Sequence, residues 1–103
     1  MLKLTPEPKF TAPVLLTVPG QESPAEIHVT FKYLSRKDLV SFYEGLKDRT
    51  IPEALGDIVQ DWDGVDAKYS AKAFETLLDN YPAAGSELLA AYQRQLFESR
   101  VKN

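Results

Sequence analysis

A proline set between two helical stripes fixes how the last third of this chain can fold. Phe74, Leu77, Leu78 and Tyr81 recur at i, i+3, i+4 and i+7, one apolar face of a helix. Pro82 stops that helix, because the residue before a proline is pushed out of the α region. Proline also suits the first turn of a new helix, where its missing N–H costs nothing. A second stripe follows at Leu88, Leu89, Tyr92 and Leu96. The spacing thus predicts helices over about 70–81 and 83–101, meeting at a Tyr81-Pro82 corner. Neither presents a nucleophile, a metal cluster or a phosphate loop, which points to a chain that binds rather than reacts.

Upstream the period changes. Val14, Leu16 and Val18 alternate with Pro13, Leu15 and Thr17, and Ile27, Val29, Phe31 and Tyr33 alternate with His28, Thr30 and Lys32. Period-2 alternation is the mark of a half-buried strand. The polar, turn-rich link from Pro19 to Ala25 predicts an antiparallel hairpin of about 10–18 and 26–34. A hairpin alone is marginal and must lay its apolar face on helices. Ser35 with Asp38 makes a capping box for a helix over about 36–47, burying Leu39, Phe42, Tyr43 and Leu46. Pro52 and Glu53 suit the first turn of another. Leu55, Ile58, Val59 and Trp62 extend that stripe, giving a helix over about 52–62 that Gly64 ends. Residues 1–9, with Pro6 and Pro8, read as an extended lead. The expectation is an α+β chain of one domain, 1–103, with the hairpin first and four helices behind it.

Zero cysteines exclude disulfides and thiolate sites and fit a reducing cytoplasm. No apolar run approaches a membrane span, and the N-terminus lacks a signal-peptide core. A net charge of −3 argues against nucleic acid, whose phosphates need a basic face. The distribution is more telling than the sum. Residues 51–66 carry Glu53, Asp57, Asp61, Asp63 and Asp66 with no Lys or Arg, so all the excess acid sits in one stretch.

That stretch is the first candidate site. Asp61-Trp62-Asp63-Gly64 supplies two acids of a calcium loop, but Val65 follows the glycine and no Glu stands at the required distance. No metal or other cofactor is expected. Two readings remain for these acids: solvated helix ends, or an acidic patch for a basic partner. Trp62, the lone tryptophan, is either core packing at the end of a stripe or the aromatic anchor of an interface. His28 reads as a surface histidine beside Glu26, and a single histidine precludes a two-histidine metal site. No nucleophile elbow, P-loop or dinucleotide glycine pattern occurs, so no enzyme activity is expected. The hairpin offers a further route to binding, an edge that accepts another chain's strand. Pro13 and Pro19 blunt the first strand. The proline-free second strand is therefore the better candidate edge, unless the N-terminal lead covers it.

The Tyr81-Pro82 corner, the Gln60-Asp61-Trp62-Asp63 stretch before it and the Tyr92…Arg100-Val101-Lys102-Asn103 ending after it also carry a resemblance. With Met1-Leu2-Lys3-Leu4, Phe10 and Thr30-Phe31-Lys32-Tyr33 at the front, nearly the whole chain resembles the small tail assembly chaperones of long-tailed phages and prophages. The resemblance implies a non-enzymatic protein of the host cytoplasm, absent from the mature virion. It would bind the tape-measure protein and help recruit tail-tube subunits. In several relatives a ribosomal frameshift near the stop codon adds a second domain, and Lys102-Asn103 is compatible with a slippery codon pair. On the residues themselves, Asp57, Asp61, Trp62, Asp63 and Asp66 are the candidate partner-binding group, the acids steering a basic helical segment and the indole anchoring it. A ring-forming structural tail component and an interaction module unrelated to phage stay open, as does assembly from identical copies.

Overall fold

Alternation in the first third is realised as strands β1 (Lys9–Leu16) and β2 (Ala25–Lys32), paired antiparallel from Lys9 opposite Lys32 to Leu16 opposite Ala25. The computed structural model describes residues 1–98. Pro19 and Gly20 turn the chain between the strands. Gln21 N–H donates to Val18 C=O at 3.1 Å, and Gly20 takes φ +86°, a left-handed backbone that glycine adopts without penalty.

Helices follow where their caps direct. Ser35 Oγ accepts from Asp38 N–H at 3.1 Å and starts α1 (Arg36–Gly45), which runs into a short 3₁₀ turn at Leu46–Asp48. Thr50 Oγ1 accepts from Glu53 N–H and donates to the Glu53 carboxylate, opening α2 (Ile51–Ile58). Ser70 Oγ accepts from Ala73 N–H at 3.0 Å ahead of α3 (Ala71–Asn80). Past Pro82, α4 spans Ala84–Phe97. Its predicted extension to 101, with Arg100, Lys102 and Asn103, lies outside the described residues.

The second predicted helix is wrong at its end. Residues 52–62 do not form one helix: α2 stops at Ile58, and Val59–Asp63 form a third strand, β3, antiparallel to β2. Val59 faces Phe31, Asp61 faces Thr30 and Trp62 faces Val29, so the ladder slips at Gln60, the extra residue of a β-bulge. Two residues three apart, Val59 and Trp62, thereby point to the same apolar side. A bulged strand thus reproduces the spacing of a helical stripe. Gly64, φ +93°, ends this strand rather than a helix.

The strand order β1-β2-β3 puts β2 in the middle, bonded on both sides. It is therefore not the available edge that its lack of proline suggests, and β3 rather than the N-terminal lead covers it. The outer edges belong to β1 and β3. Tyr33 N–H donates to Pro8 C=O at 2.9 Å, so alternate residues from Phe10 to Leu16 face β2 with their backbone groups. Pro13 falls in the outward set, where a missing N–H breaks no ladder bond. Thr17 continues that set. Its N–H donates to both carboxylate oxygens of Glu87 (2.9 and 3.2 Å), and its hydroxyl donates to one of them (2.6 Å).

One face of the sheet carries Lys9, Thr11, Pro13, Leu15, Glu26, His28 and Lys32, all exposed. The other is buried under the helices. Val14, Val29 and Phe31 meet Leu55, Ile58, Leu88 and Tyr92 there, each no more than 1% exposed. Tyr92 stacks on Phe10 (ring centroids 5.9 Å apart) and tilts against Phe31 (5.1 Å). Its hydroxyl donates to Lys32 C=O at 2.7 Å. Burial pushes the Tyr92 phenol up to about 12, with a Leu34 backbone hydrogen bond opposing.

Candidate functional site

At the end of the sheet away from Tyr92 an open cleft lies against the hairpin, with Leu16 and Ile27 buried at its base and Trp62, Val65, Leu77 and Tyr81 half-buried around it. Leu16, Val18, Ala25 and Ile27 from the hairpin, Val65 and Trp62 from around β3, and Leu77 of α3 with Tyr81 just past its end line this cleft of about 580 Å³. Ala25 and Ala73, both small, leave it its depth. Thr76 and Asn80 stand exposed on its α3 side. Among the described residues, Asp66 is the one charged residue that lines it.

Trp62 forms one wall and is half-buried. Its indole N–H donates to Ala67 C=O at 2.8 Å, and its backbone N–H donates to Asp61 Oδ1 at 2.9 Å. Tyr69 meets the indole edge to face at 5.1 Å, and Phe74 lies 6.4 Å away. The Tyr69 hydroxyl in turn donates to Val59 C=O at 2.9 Å, occupying an acceptor on β3. Burial, then the nearby Asp61 charge, raises the Tyr69 phenol above its ordinary value. The turn from Trp62 to Tyr69 is therefore tied at both ends. Gly64 lets it pass close to the hairpin: a Cβ there would sit 3.4 Å from Ile27 Cα, on a backbone few side chains adopt.

The five predicted residues do not converge. Trp62 and Asp66 border the cleft, and Asp63 adjoins it through a shallow depression shared with Trp62, Val65, Asp66 and one cation, Lys68. Asp61 and Asp63 sit opposite Thr30 and His28 on the exposed sheet face. Asp57 is elsewhere, on α2, paired with the Arg49 guanidinium, which also donates to Glu53 C=O at 2.8 Å. That pairing, more than any other cause, holds the Asp57 carboxyl below the usual range and the Arg49 guanidinium above its own. The run of acid is thus partly neutralised by a cation just upstream of it. His28 stands on the exposed face with Nε2 3.6 Å from Glu26.

The apolar cleft is absent from the sequence-derived candidates. Leu77 and Tyr81 belong to the stripe that predicts α3, and a stripe looks the same whether its far end is covered or not. Among the described residues no cluster of three His, Cys, Asp or Glu could hold a metal ion, and no helix is long and apolar enough to cross a membrane.

No curated protein and no solved structure matches the chain. A family model described as phage tail assembly chaperone matches residues 1–103, its whole length. The sequence resemblance and this match agree, and the chain belongs to the phage tail assembly chaperone family.

Proposed function

We propose that this protein is a non-enzymatic chaperone of the host cytoplasm that works as one domain and holds the tape-measure protein during tail morphogenesis. The observation that carries the reading is the open apolar cleft beside Trp62, flanked by Asp63 and Asp66, two acids against one cation, Lys68. A long helical client exposes amphipathic stripes before it is enclosed by the tail tube. A shallow apolar trough with an acidic shoulder suits such a stripe with Lys or Arg beside it. The apolar contacts supply most of the affinity, and the acids supply steering and register. Asp61 adds to the same field from the sheet face, whereas Asp57, spent on Arg49, adds little.

Co-purification of the tape-measure protein with Asp63→Lys/Asp66→Lys tests this placement. Charge reversal on a rim should slow association and flatten its salt dependence, with an overall loss of roughly tenfold. Binding equal to wild type at every salt concentration would remove the acidic shoulder from the site. Trp62→Ala should cost more than either acid, because large aromatics at the centre of an interface dominate its energy.

A further inference from the structure

Both faces of α3 are left partly open. Ala73, Thr76, Leu77 and Asn80 border the cleft described above. On the opposite face Phe74, Glu75 and Leu78 border a second groove, of about 370 Å³, against Pro52, Glu53 and Gly56 of α2. Phe74 is buried beneath it, and Leu78 and the adjoining Tyr69 are half-buried along it.

Gly56 is the residue in this groove that the fold does not account for. Glycine inside a helix is less stable than alanine would be, so its presence calls for a reason. Gly45 is the last residue of α1. Gly85 lets α2 and α4 cross closely, since a Cβ on it would sit 3.2 Å from Ile51 Cγ2. Gly56 has neither role. It lies within α2, its φ is not positive, and a Cβ on it would meet nothing within 4 Å. A bare backbone there admits a second backbone more closely than any side chain would.

The walls add a charge pattern. Glu53 on the α2 side and Glu75 on the α3 side are exposed, and among the described residues the lining holds no cation. The nearby Arg49 guanidinium is held by Asp57 and by Glu53 C=O. Lys72, one turn before Glu75, makes no ion pair among the described residues. A trough between two helices is the seat that a third helix takes in a bundle. We infer that the α2–α3 groove docks an amphipathic helix of a protein partner. Its apolar stripe lies over Phe74 and Leu78 with a small side chain at Gly56, and Lys or Arg on both flanks meets Glu53 and Glu75. The client reading places its contact on the other face of α3, so this inference stands apart from it.

Amide NMR on the full, nitrogen-15-labelled chain tests it. The probe is a helical peptide of roughly five turns with a Leu/Ala stripe flanked on both sides by Lys, and its control carries Glu at the flanks. The Lys peptide should move the Gly56, Tyr69 and Glu75 signals to saturation, and the Glu peptide should not. Gly56→Leu fills the groove and should weaken binding at least tenfold. Glu53→Gln/Glu75→Gln keeps the α2 cap and should cost roughly fivefold, with a flatter salt dependence. Gly56→Ala carries the distinctive sign: the unfolding midpoint should rise by about 2–5 °C while binding falls. A lower midpoint would mean that the fold itself needs this glycine and would overturn the inference. So would groove signals that stay still, equal binding of the two peptides, or Gly56→Leu binding as wild type does. Movement of the Gly56 signal with protein concentration alone would give the groove to a second copy. Movement in Leu2→Asp/Leu4→Asp without peptide would give it to the chain's own lead, and either result also overturns the inference. Thr76→Arg/Asn80→Arg, exposed and on the cleft side, keeps the two readings apart. It should bind the peptide as wild type does, whereas its capture of the client reports on the cleft alone.

Discussion

The two ends of the sheet's buried face are built from the same kinds of residue and finished differently. At one end Phe10, Phe31 and Tyr92 close on one another, and the single polar atom among them is satisfied by Lys32 C=O. At the other, Leu77 and Tyr81 stay half-buried beside an open cleft of about 580 Å³, with Leu16 and Ile27 buried at its base. Hydrophobicity alone does not separate scaffold from binding surface here. Closure does: the first end buries its apolar area within the fold, and the second leaves part of it beside open space.

The sharpest way to break that contrast is truncation at each end. Phe31→Ala, at 0% exposure, should destabilise by about 3–5 kcal/mol. Leu77→Ala, half-buried beside open space, should cost about 1 kcal/mol or less. Urea unfolding of both variants measures the difference, and equal losses would mean the cleft is as structural as the aromatic end. Alkali sharpens it next. The Tyr92 phenol titrates near 10 in the unfolded chain and at about 12 in the fold, so its contribution is complete below pH 10. It is lost as pH rises through 12. The wild type should shed about 2–3 kcal/mol across that window, and Tyr92→Phe should not show this component.

The turn that shapes the open end is weaker but specific. Gly64→Ala forces an alanine to φ +93° within 3.4 Å of Ile27, at a cost of roughly 1–2 kcal/mol. Because that turn carries Asp63 and Asp66, client capture should fall with stability, and thermal melts paired with co-purification report both. The smallest effect belongs to Asp57. Its lowered pKa makes the Arg49 pair's contribution present above the ordinary carboxylate range and lost as pH falls through the folded value. The pair is exposed, so Asp57→Asn should alter acid unfolding only slightly and client binding not at all.

Much of the fold is legible in the residues, and the exceptions have physical causes. Ser35 caps a helix as its position predicts, Pro52 and Glu53 stand in the first turn of the next, and the two alternating runs pair as a hairpin. The third strand is hidden because Gln60, bulging out, gives Val59 and Trp62 the three-residue spacing of a helix. With β3 unseen, β2 looks like an edge. The acidic run is visible, but its dispersal is not. Arg49 lies outside the stretch counted for charge, and the alternation of β3 sends Asp61 and Trp62 to opposite faces. The cleft was beyond reach, since it depends on what fails to cover Leu77 and Tyr81.

The carboxylate of Glu87, clasping the Thr17 amide beyond the end of β1, has a meaning past its three hydrogen bonds. An outermost strand with bare amides is a template on which foreign strands can nucleate. Here Pro13 removes one docking point and Glu87 occupies another, while Tyr69 does similar service across the sheet at Val59. On the proposed reading, a guardian of an aggregation-prone filament protein is itself fenced against joining the aggregate.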